Sequence, residues 1–216
     1  MKLAPNPPEH GFTLKELLVV LAVIVLVGLL ILPFFSKADN RSHQINCINQ
    51  LRSIALATRI WAGDHNDRYP VQVTTNSFGA VNFAAADGLF RYVQMMSNEI
   101  STPKILVCHY DSKRIAATNF GVGFGNSNLS YFLAINADEA DAYSFLAGDS
   151  HLTNNAPRKN GAQAFSTNSP ARWARERHSG KGNVAINDGS AAQLTTAGLA
   201  DALANSGRTT NWLLFP

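Results

Sequence analysis

The chain is poor in the residues that carry covalent chemistry. Cys47 and Cys108 are the only cysteines in 216 residues. That excludes a disulfide-dense scaffold and a zinc site built from several cysteines. Charged residues make up 15% and the net charge is +3, too small an excess to imply a polyanionic partner by itself. Phosphate-binding glycine loops, HExxH, nucleophile elbows and paired-cysteine motifs are missing. So is any internal repeat. These absences point to a structural or interaction role rather than an enzyme.

What is present is a long apolar run. "GFTLKELLVVLAVIVLVGLLILPFF", residues 11–35, carries no charge between positions 17 and 32, with Glu16 directly before the run. As a helix, residues 12–35 would extend about 36 Å, enough to cross about 30 Å of hydrocarbon. No other segment approaches this length, so a single transmembrane helix is expected. An ordinary secretory signal is the alternative. Lys2 and Lys15 would supply its basic region, Pro33 the break and Ser36-Lys37-Ala38 the cleavage site, releasing a soluble protein from Asp39. Against it stand the length of the run and the acid at its start.

Gly11-Phe12-Thr13-Leu14-Lys15-Glu16, followed by this run, resembles the processing segment of the type IV pilin superfamily, which includes the type II secretion pseudopilins. The resemblance implies that a prepilin peptidase/methyltransferase cuts between Gly11 and Phe12, removes the leader 1–11 and N-methylates Phe12. It implies that residues 12–35 remain as a transmembrane and assembly helix in the inner membrane. The N-terminus would be cytoplasmic, and the head periplasmic or extracytoplasmic. Glu16 would then pair with the Phe12 amine, within a subunit or between neighbours, and set assembly register. Pro33 falls where many pilins bend their helix. Implied partners are other pilin-like subunits, an inner-membrane assembly platform and membrane lipid. The product would be a secretion pseudopilus or a pilus-like fibre. Two features depart from the pattern: Lys15 stands at a usually apolar position, and the leader "MKLAPNPPEHG" is proline-rich with one lysine.

Beyond the run, Cys47, Ile48, Leu51, Ile54, Ala55 and Trp61 recur every three to four residues. Residues 36–66 therefore read as an amphipathic helix continuing into the head and ending at "GDHNDRYP". Residues 67–216 read as the head. The expected fold is α+β, a long N-terminal helix packed on a small antiparallel sheet. "GLFRYVQMM" is a short helix capped by Asp87, and "KILVCHY", "LSYFLAIN" and "YSFLAGD" are strand-like. "GNVAINDGSAAQLT" is a hairpin with a type I′ turn at Asp188-Gly189. Thr196 caps "AGLADALANSG", and "NWLLFP" adds a strand.

His178 stands ten positions before Asp188-Gly189. This spacing resembles the H-x9-D-G motif of the prepilin-type processing-associated subgroup. Cys47-Ile48-Asn49-Gln50-Leu51-Arg52, "HNDRYP", "FLAGD" and Cys108-His109-Tyr110-Asp111 are similar to that subgroup's segments as well. The resemblance assigns no role to the motif.

Four candidate sites follow. His178 and Asp188 are either a ligand or acid–base pair, or a backbone-bonding histidine beside a turn-shaping aspartate. Cys47 and Cys108 are either a disulfide or two buried thiols that never meet. Asp138, Glu139 and Asp141 gather carboxylates for calcium, but at spacings unlike an EF-hand; no other cofactor is expected. Arg172, Trp173, Arg175, Arg177 and Lys181 suit a polyanion, making a DNA-uptake subunit that binds nucleic acid the runner-up function. The plain reading of that stretch is a solvated loop.

Overall fold

A computed structural model describes residues 11–73 and 88–216, with the side chains at 31–40 outside the description. The leader 1–10, Pro33, the candidate signal cleavage site at 36–38 and the Asp87 cap therefore lie outside the described residues. The chain divides into two units, Met1–Ser42 and His43–Pro216.

The first unit holds the start of helix α1, Leu14–Gly63. A capping box sets its N-terminus. The Glu16 carboxylate accepts bonds from the Thr13 N–H and hydroxyl, both at 2.8 Å, and the Glu16 N–H donates to Thr13 Oγ1 at 3.3 Å. Residues 11–30 are exposed on every side.

The transmembrane expectation is overturned here. Among the described residues, no helix is long and apolar enough to cross a membrane. The described apolar run, residues 17–30, covers about 21 Å at 1.5 Å per residue, against about 30 Å of hydrocarbon. The single-pass inner-membrane placement, with its cytoplasmic N-terminus, falls with that expectation. So does the prepilin description that depended on it.

In the second unit, the helix stripe buries Cys47, Leu51, Ile54, Ala55 and Trp61, joined by Ala57 and Ala62, in one core with the sheet. Gly63 ends the helix, and Asn66 and Asp67 turn the chain with φ of 57° each. Two short helices follow, α2 (Phe90–Met95) and α3 (Ser97–Ile100). The strand expected at "KILVCHY" is instead a single helical turn, Pro103–Leu106. Its cause is local: Pro103 presets the first helical position, and Thr102 Oγ1 accepts the Lys104 N–H.

The sheet has six antiparallel strands: β1 (Tyr131–Ala134), β2 (Phe145–Asp149), β4 (Ala162–Ser166), β6 (Gly182–Ile186), β7 (Ala191–Leu194) and β8 (Thr210–Leu214). Their order is β4-β8-β1-β2-β6-β7. The C-terminal strand thus lies inside the sheet rather than closing an edge. β1 and β2 are buried along their whole length, which requires cover on both faces, whereas β4 alternates. β3 (Leu152–Thr153) and β5 (Arg172–Trp173) pair separately.

The β6–β7 hairpin forms where expected, but its turn differs from type I′. Gly189 N–H donates to Ile186 O at 3.1 Å, and Ile186 N–H to Ser190 O at 3.0 Å. Gly189 is in the left-handed region at φ 89°, and Asp188 is not. That is a three-residue loop closed by a glycine bulge. Helix α4 (Thr196–Asn205) is capped by Thr195, one residue earlier than expected, through its Oγ1 and the Gly198 N–H. In outline the molecule is α+β, as expected, without the membrane-crossing half of the helix.

Candidate functional site

Three side chains from distant parts of the sequence meet in the second unit. Cys47 comes from α1, Cys108 follows the 103–106 turn, and His178 precedes β6. All three are buried, and their ligand atoms lie within 4.8 Å of one another. Cys47 Sγ and Cys108 Sγ stand 2.7 Å apart, and His178 Nε2 is 3.3 Å from Cys108 Sγ. The backbone aims the imidazole: His178, Ser179 and Gly180 take φ of 50°, 56° and 78° in succession. A non-glycine residue in this region is uncommon, and strain there is a local cost.

Asp149, at the end of the buried "FLAGD" strand, completes the cluster. Its Oδ2 accepts the Asn183 N–H at 2.7 Å and the Asn183 side-chain amide at 2.9 Å, and lies 3.3 Å from His178 Nε2. Burial opposes the charged form of His178. The hydrogen bond to Asp149 and the Cys47 thiol outweigh it, and the pKa rises to about 9. The bond with Cys108 pulls the Cys47 pKa down against burial, helped by His178. Cys108 is pushed up by the same bond and by burial.

These groups do not form a nucleophile relay. Such a relay uses both ring nitrogens, one towards the nucleophile and one towards the orienting acid. Here Cys108 and Asp149 both approach Nε2, while Nδ1 has no partner. The thiols are also closed to solvent, each at 0% exposure.

Beside the cluster runs a buried ion pair. Arg177 Nη1 is 2.8 Å from Asp111 Oδ2, and the guanidinium also donates to Ser130 O at 3.2 Å and Ser150 Oγ at 2.9 Å. His151 Nε2–H donates to Lys181 O at 2.8 Å, and burial lowers the His151 pKa. A polar cleft of about 300 Å³ opens over this layer, lined by Asp111, Arg114, His151, Arg158, Glu176 and Arg177 among others.

The expected sites are rearranged accordingly. Asp188 is not joined to His178; it is exposed, and its Oδ1 accepts the Ser190 N–H at 2.7 Å, shaping the turn. Its neighbour Asn187 does more. The Asn187 amide donates to the carbonyls of Asp138, Glu139 and Asp141 at 3.0, 2.7 and 3.1 Å, and its Oδ1 accepts the Tyr69 hydroxyl at 2.6 Å. The carbonyls that a cation in the acidic loop would need are therefore held by an amide. Asp138 and Asp141 cap their own loop, accepting the N–H of Ala140 and Tyr143.

In the basic stretch, Arg172, Arg175 and Lys181 are exposed, but Trp173 and Arg177 are buried. The tryptophan packs against Gly182, where a Cβ would come within 2.4 Å of the ring. The aromatic platform for base stacking is thus spent on the core. Phe12, Gly11 and Glu16 belong to the first unit, where Glu16 is a cap.

Sequence reasoning missed Asp149, Asn183 and Asn187 as functional positions. The available signals were an acid ending a wholly apolar strand, and asparagines at both ends of one hairpin strand. Comparison with known proteins leaves the site to be judged on its geometry: no family model, curated protein or solved structure matches the chain.

Proposed function

We propose that the protein is a structural subunit that assembles with copies of itself through its N-terminal helix, as pilin-like and pseudopilin subunits do. One observation carries the reading. Leu18, Leu21, Val25, Leu26 and Leu29 are 54–66% exposed on a helix that is apolar all round. A helix apolar on every face is a buried helix in its working state, because one polar face is what a surface helix needs. Neighbours on several sides supply that burial, and identical helices packed in a fibre core provide them. The head meets the other requirement, a closed folded body with its own core. The resemblance of the H-x9-D-G hairpin to a pilin-like subgroup supports the same role.

The test is association of the full chain, followed by sedimentation velocity and electron microscopy. Val25→Asp should abolish large assemblies, since it places a charge inside the packed helices, while Ile115→Asp on the exposed head surface should leave them intact. Assemblies that survive Val25→Asp unchanged would overturn the reading.

A further inference from the structure

The two sulfurs are too close for thiols at rest. Heavy atoms in ordinary contact stand about 3.5–4.0 Å apart, and these stand 2.7 Å apart. A metal does not account for the spacing either. Two thiolates on a tetrahedral zinc, each about 2.3 Å from the ion, are held about 3.7 Å from one another. The third candidate ligand, His178 Nε2, already faces Asp149 Oδ2 at 3.3 Å. The approach is what a covalent bond between the sulfurs would demand, and the residues on either side are positioned to permit it.

We propose that Cys47 and Cys108 close a disulfide tying residues 43–63 of α1 to the head. This stands independently of the assembly reading. Two S–H bonds break and one S–S bond forms. The two electrons pass to a small disulfide oxidant, such as oxidised glutathione, which leaves as two thiols carrying the two protons. Cys108 loses its proton to water and attacks the oxidant as the thiolate; the departing thiolate takes up a proton from water. Cys47 next displaces the second oxidant half from Cys108. Both sulfurs are sealed from solvent in the folded head, so the exchange occurs before residues 43–63 close on it. The chemistry fits an oxidising compartment.

The first experiment uses the full chain purified without reductant, denatured in the presence of an alkylating agent and digested. One Cys47–Cys108 linked peptide and no alkylated cysteine are expected; two alkylated cysteines would overturn the bond. The second follows refolding of reduced chain with oxidised glutathione, in which the Cys47–Cys108 linked peptide should form; a chain that refolds with both cysteines still open to alkylation after denaturation would overturn the bond. Zinc retained by the reduced chain at one ion per molecule, and lost in Cys47→Ser, would replace the disulfide with a metal centre.

Discussion

At the scale of single residues, three side chains change meaning between sequence and structure. Glu16 is legible as an acid before an apolar run, but Thr13-x-x-Glu16 is also a capping box, and the structure uses it as one. Thr13 lowers the Glu16 pKa, first through its backbone N–H and then through its hydroxyl. The two roles separate by substitution. Glu16→Gln keeps the cap and loses the charge, while Glu16→Ala loses both. If register depends on charge pairing, both variants should fail to assemble in the sedimentation assay. If the cap is what matters, only Glu16→Ala should fail. Asn187 was hidden because nothing local distinguishes it from other loop asparagines; its three carbonyl acceptors come from 46–49 residues away. Asn187→Ala leaves those carbonyls and the buried Tyr69 hydroxyl short of a partner. A loss of about 2–3 kcal/mol is expected in guanidinium unfolding.

His178 gives a pH prediction at the same scale. Its folded pKa is raised to about 9 by Asp149 and Cys47 in spite of burial, while an unfolded histidine titrates near about 6.5. The protonated form therefore stabilises the fold fully below about pH 6.5 and loses that effect as pH rises towards the folded value. Cys47, lowered in the fold to about 5, has the opposite sign over the same range, its contribution growing as pH rises. His151 is lowered by burial and acts below that window. With Cys47→Ser the Asp149 contribution to His178 remains, and the guanidinium midpoint should fall as pH rises above about 6.5. A midpoint that rises over that interval would contradict the His178–Asp149 assignment.

At the scale of elements, periodicity served well where burial is one-sided. The 47–61 stripe stands where its pattern put it, because one face lies on the core, and the β6–β7 hairpin forms at its turn signal although β6 is buried at four consecutive positions. The pattern failed at residues 103–106, where Pro103 and the Thr102 cap outweigh an apolar run. It was also silent on strand order, since nothing local places β8 between β4 and β1. The candidate site was half legible for a related reason. Motif spacing named Cys47, Cys108 and His178, but the partner of His178 is set by β2–β6 register, which brings Asp149 beside Asn183. Gly182 shows how tightly that region is built. Gly182→Ala would drive a methyl to within 2.4 Å of the Trp173 ring. It should cost about 1–3 kcal/mol in thermal or denaturant unfolding, with the Trp173 fluorescence shifting as the ring is displaced.

At the scale of the whole molecule, a well-packed head coexists with a helix segment whose apolar side chains have no cover among the described residues. Hydrophobicity alone suggested a membrane as that cover, and among the described residues no helix is long and apolar enough to cross one. Copies of the same segment supply the remaining route to burial argued above. The account therefore turns on what touches Leu21, which is 54% exposed. A photo-crosslinking amino acid at position 21 of the full chain, activated in the assembled state, reads this directly. The predicted product is a dimer whose linked peptide joins position 21 to residues 14–30 of a second copy. Adducts only to other molecules, or dimers linked through the head alone, would contradict assembly through the helix.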